Sequence, residues 1–138
     1  MEQVIRQEKG QHESWLREQR QAAYVAMLET TRHCEDMARQ CVEVVHHGGQ
    51  PGGEQVAAIR EAHRAMRAAQ SLALLTGPDS LRTLVNQLAV CASGLLGIAQ
   101  SATTGVDLDE LPWGDALVDF LGAMEPFERE AARVLELR

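Results

Sequence analysis

Tyr24, Met27, Thr31, Cys34, Ala38, Cys41 and Val45 follow one another at alternating steps of three and four, which lines them up along one stripe of a helix. Leu16, Leu28, Met37 and Val42 widen the stripe to the breadth of a globular bundle, while Arg17, Arg20, Glu29, Arg32, Asp36, Arg39 and Glu43 take the other side. The pattern predicts a first helix over residues 13–46, closed by His46 and His47 in its last turn and by Gly48 and Gly49 beyond it. Upstream, Gly10 interrupts a weaker pattern holding Val4 and Ile5, so residues 1–11 either extend this helix or fray.

Three further stretches carry the same period. Gly48 to Gly53 reads as a flexible loop, and a second helix is expected over 54–76, with Val56, Ile59, His63, Met66, Ala69, Leu72, Ala73 and Leu75 facing inward. Thr76-Gly77-Pro78-Asp79-Ser80 is a stop and restart: Gly77 suits a left-handed end, Pro78 cannot continue the helix, and Asp79 or Ser80 can cap the next one. A third helix is expected over 80–104 and a fourth over 112–137, started by Pro112 and lined by Leu117, Phe120, Leu121, Met124, Phe127, Ala131, Val134 and Leu135. Pro126 falls inside that last pattern and should kink or split it near Ala123 to Glu125. Four amphipathic segments, short connections and no strand pattern make an all-α, antiparallel up-down-up-down four-helix bundle with a long first helix. The 138 residues form one domain.

The third helix differs from the others. From Thr83 to Val106 no residue is charged for 24 positions, in a chain that is 24% charged overall. Leu81, Leu84, Val85, Leu88, Ala92, Leu95, Ala99 and Ala102 form an ordinary core stripe. On another face Ala89, Ser93, Gly97 and Ser101 repeat every four residues, a ridge of small side chains that lets a second helix approach closely. The stretch is long enough to span a bilayer, but Asn86, Gln87, Ser93, Gln100, Ser101, Thr103 and Thr104 interrupt it, so no membrane span is expected.

Charge adds a second asymmetry. Of the net −7, residues 1–78 contribute −1 (nine basic against ten acidic) and residues 105–138 contribute −6 (three against nine). Arg60, Arg64 and Arg67 share one helix face, which reads as solvated, and without clustered cations no nucleic-acid partner is expected. Cys34, Cys41 and Cys91 are an odd number without a signal-peptide pattern before them, so reduced thiols in a cytoplasm are expected.

Sites of chemistry are thin. Cys34, Cys41, Cys91, His63, Met27, Met37, Met66 and Met124 fall on or near inward stripes and could hold a soft metal, but Cys34 and Cys41 stand about 10 Å apart. Packing is the better reading of them. Glu43-Val44-Val45-His46 matches one half of a di-iron ligand set and has no second half in the chain. Glycines 48–53 are not followed by Lys-Ser or Lys-Thr, so they form no phosphate loop, and no nucleophile is spaced to a His and a carboxylate. No cofactor, metal or catalytic activity is expected.

Arg20-Gln21-Ala22-Ala23-Tyr24-Val25-Ala26-Met27-Leu28 fits R-x-x-A-Y-x-x-x-L, and Gly77-Pro78-Asp79-Ser80-Leu81, after the apolar Leu72 to Leu75, fits G-P-x-x-[VL]. Together they resemble a group of small helical-bundle proteins common in actinobacteria. The resemblance implies a bundle and no known activity. The expected function is therefore contact with other proteins, first as a homo-oligomer, a dimer, through Ala89, Ser93, Gly97 and Ser101. Alternatives are an acidic module docking a basic protein and a metal-binding bundle using Cys, His and Met.

Overall fold

The computed structural model describes residues 2–136, and among them every regular element is helical. Helix α1 spans Glu2–His46, α2 Gly53–Thr76, α3 Arg82–Thr103 and α4 Trp113–Glu136, with single 3₁₀ turns at Asp79–Leu81 and Leu108–Glu110. Met1 and residue 137, parts of the expected first and fourth segments, lie outside the described residues. Residues 2–11 continue α1 without a break at Gly10.

The four helices pack into one bundle. α1 lies against both α2 and α3, α3 also contacts α4, and α4 touches α1 more lightly. The core is unusual in how much of it is alanine: Ala23 and Ala38 on α1, Ala62, Ala69 and Ala73 on α2, and Ala89, Ala92 and Ala99 on α3 are all buried. Small side chains on facing helices shorten the distance at which backbones pack, so a chain with few aromatics still closes its interior. The larger volume comes from Tyr24, Met27, Met66, Leu81, Leu88, Leu95, Phe120 and Phe127. Tyr24 meets Phe127 edge-on with ring centroids 6.2 Å apart, an arrangement that ties α1 to α4.

The first stripe of α1 is buried from Tyr24 through Cys41, and Thr31 enters the core because its hydroxyl donates to the Met27 carbonyl at 2.7 Å. Gly48, at φ +81°, turns the chain out of α1, with its N–H donating to Val45 O and the Gly49 N–H to Val44 O at 2.9 Å. These two bonds satisfy carbonyls that the helix end would leave open. Toward the other end, every residue from Ile5 to Trp15 is exposed, and Leu16 is the first to be partly buried.

Several expected details change. Leu72 and Leu75 are exposed, Leu75 at 85%, and so is His63, while Ala62 joins the expected Ala73 on the inward face of α2. The space between α1, α2 and α3 admits alanine and turns leucine outward. Leu121 also faces out at 53%. Gly77 is extended at φ −79° rather than left-handed; a Cβ there would stand 2.7 Å from the Ala73 carbonyl oxygen, so close approach excludes other residues. Asp79 and Ser80 do not cap α3: they form a 3₁₀ turn that runs directly into it. Pro126 does not split α4, which is continuous through it; the carbonyl it leaves unpaired belongs to exposed Gly122, where water reaches it.

Candidate functional site

Two stretches distant in sequence, Arg20 to Leu28 and Leu72 to Leu81, meet at one point. The Arg20 Nε donates to the Thr76 carbonyl at 2.9 Å, and the Tyr24 hydroxyl would lie 3.4 Å from a Cβ at Gly77, so α1 clasps the turn between α2 and α3. Beside them Glu130 of α4 pairs with Arg133, and hydrogen bonding from Arg133 together with Ser80 holds its carboxyl below the usual range. Burial raises the Tyr24 pKa, Arg20 opposing and Glu130 reinforcing the shift, and the hydroxyl has no hydrogen-bond partner among the described residues. Of this cluster Tyr24 is buried, edge-on to Phe127, and the chemistry of the whole is that of a turn lock.

The sulfur and imidazole groups do not converge. Cys34 is fully buried and donates to the Ala62 carbonyl at 3.5 Å, and burial pushes its thiol up to about 12. Cys41 is buried with its pKa also raised by burial. Cys91 is half-buried at the α3–α4 groove, raised by burial and by Asp119. His63 opens onto the other flank of α3, and His46 lines a cleft of about 650 Å³ between the 47–52 and 104–112 loops, with Asp107 and Asp109. Among the described residues no three of His, Cys, Asp and Glu stand close enough to share a metal ion.

The surface of α3 is the most unusual feature. Its length and composition would suit a membrane span, yet it packs against three helices that all bear charge. The expected small-residue ridge does not lie on one kind of surface: Ala89 is buried in the chain's own core, Ser93 and Ser101 are half-buried, and Gly97 is exposed with open space where a Cβ would stand. A different strip points fully outward. Thr83, Gln87, Val90, Gly94, Gly97 and Ser101 fall within a narrow sector of the helix at 100° per residue, and all but the half-buried Ser101 are exposed. The strip shares Gly97 and Ser101 with the expected ridge and lies farther from α2; the signal that could have found it is the pair Val90 and Gly94, which belong neither to the core stripe nor to that ridge.

This strip has a groove on each side. Toward α2, a groove of about 510 Å³ has Ser93, Leu96, Gly97 and Gln100 for one wall and Ile59, Arg60, His63, Arg64 and Arg67 for the other. Toward α4, a groove of about 790 Å³ runs between Val90 and Cys91 and the residues Val118, Asp119 and Gly122. Val90 and Val118 are each 69% exposed. An uncharged ridge is thus flanked by a basic helix face and by the acidic start of α4. No family model matches the chain, and no curated protein or solved structure matches it either.

Proposed function

We propose that this protein is a non-enzymatic contact module, an up-and-down antiparallel bundle in a reducing cytoplasm that works as a homodimer through the outward face of α3 and the adjoining face of α4. The observation that carries this reading is the solvent exposure of Val90 and Val118 beside a ridge containing Gly94 and Gly97, on a helix that carries no charge beyond Arg82. Apolar surface of that kind is stabilised by removal from water, and a self-complementary patch achieves this with a second copy of the chain. Alternating helix direction is supported by the contacts between helices: Arg20 with Thr76 and Cys34 with Ala62 on α1 and α2, and Gln70 with Asn86 on α2 and α3. As the number rises on one helix it falls on the other.

The test is sedimentation or light scattering across a concentration series. Wild-type protein is expected to dimerise, and Val90→Glu or Val118→Glu to be monomeric with thermal stability little changed, because neither side chain enters the monomer core. A wild-type chain that stays monomeric at high concentration overturns the reading.

A second reading, in which a basic protein is the partner, is favoured by one observation. Asp107, Asp109, Glu110, Asp115 and Asp119 form no ion pair among the described residues. A heteromeric complex weakened by salt is its signature.

A further inference from the structure

Resting on the self-association reading, we infer that the two copies pair about a two-fold axis parallel to α3, so that the arginine face of α2 on each copy meets the acidic start of α4 on the other.

The argument begins with the order of charge across the surface. From one side to the other stand α2 with Arg60, Arg64 and Arg67, then the uncharged outer strip of α3, then α4 with Asp115 and Asp119. A face of this kind can meet its own copy with the helices aligned in two ways. Rotation about an axis lying along α3 sets α3 on α3 and exchanges left for right, so α2 faces the partner's α4. Rotation about an axis across α3 sets α2 on α2 and α4 on α4. The second arrangement brings three arginines against three arginines and two aspartates against two aspartates, which is repulsive on both flanks. The first makes both flanks attractive.

Height along the helices agrees with the first arrangement. Arg64 and Arg67 share a groove with Ser93 and Gly97, and Asp119 shares one with Val90 and Cys91. With α4 running opposite to α3, Asp115 stands one turn from Asp119 toward Gly94, level with the span between Arg64 and Arg67. Rotation about an axis along α3 preserves height, so Asp115 arrives opposite those two arginines. The arginines are available: Arg60 has no ion pair among the described residues, Arg67 bonds only Gln70, and Arg64 pairs at 3.0 Å with Glu61 in a bridge whose partners are both largely exposed. Gly94 and Gly97, with nothing within 4 Å of a Cβ, leave room for the partner's α3 to approach.

Two measurements test the pairing. In a Cys91→Ser background, Val90→Cys, Gly94→Cys and Gly97→Cys are oxidised separately; an axis along α3 brings each position opposite its own copy, so all three are expected to cross-link. In parallel, Arg64→Glu with Arg67→Glu, and separately Asp115→Arg, are each expected to weaken the dimer roughly tenfold or more, and their combination to restore it to within a few-fold. A dimer that cross-links at only one position, or in which the combined variant remains weak, overturns this pairing while leaving self-association standing. Wild-type protein that is monomeric at all concentrations removes both.

Discussion

Tyr24 shows what a single side chain contributes to this fold and what it leaves unmet. Its ring is among the largest groups in the core, but its hydroxyl is buried without a hydrogen-bond partner among the described residues. Tyr24→Phe is therefore expected to be neutral or to stabilise by up to about 1 kcal/mol in urea denaturation, whereas Tyr24→Ala should cost about 3–5 kcal/mol through the cavity it opens. The cysteines differ by environment in the same way. With Cys34 and Cys41 buried and Cys91 half-buried, native protein treated with an alkylating reagent near pH 8 should be modified first at Cys91, read by peptide mass spectrometry. Cys34 also sets an alkaline limit. Below pH 9 its thiol is protonated in both the folded and unfolded states; between 9 and about 12 only the unfolded chain ionises, so stability should fall through that window. Replacing Cys34 with Ser in a thermal-melt series should flatten that part of the profile.

At the scale of the helix, legibility followed side-chain size. The stripe of α1 from Tyr24 to Cys41 and that of α4 through Phe120, Met124, Phe127 and Ala131 are buried as their spacing requires, because large groups at the helical period leave little choice of face. α2 was harder to read. Its buried positions are Ile59, Ala62, Met66, Ala69 and Ala73, a regular alternation of threes and fours written mostly in alanine, while the more hydrophobic Leu72 and Leu75 point outward. Hydrophobicity weighs a leucine above an alanine, but a narrow inter-helix gap weighs them the other way. On α3 the outward strip is marked in the sequence only by what Val90 and Gly94 fail to match, since both fall outside the core stripe and the small-residue ridge. Pro126 offers a test at this scale. α4 passes through it unbroken, so Pro126→Ala should add the missing backbone hydrogen bond and raise stability by about 1–3 kcal/mol, measured by thermal or urea unfolding.

For the whole molecule, the division between supported and unsupported helix is the feature with the widest consequence. α1 begins at Glu2, but its side chains from Ile5 to Trp15 make no buried contact, and the last turn of α4, at Val134 and Leu135, reaches it only from Gly10 onward. Helix nucleation is the unfavourable step, and propagation adds one hydrogen bond per residue. The bundle therefore serves as the nucleus, and the first turns are grown from it. Their survival depends on local propensity and temperature, and the free energy that opens them is separate from the one that unfolds the core. Amide hydrogen exchange should divide α1 accordingly: residues 6–11 should exchange early at a rate insensitive to dilute denaturant, while amides from Ala23 to Cys41 should exchange only as fast as the entire protein unfolds. One continuous rod in space would then behave, in time, as two.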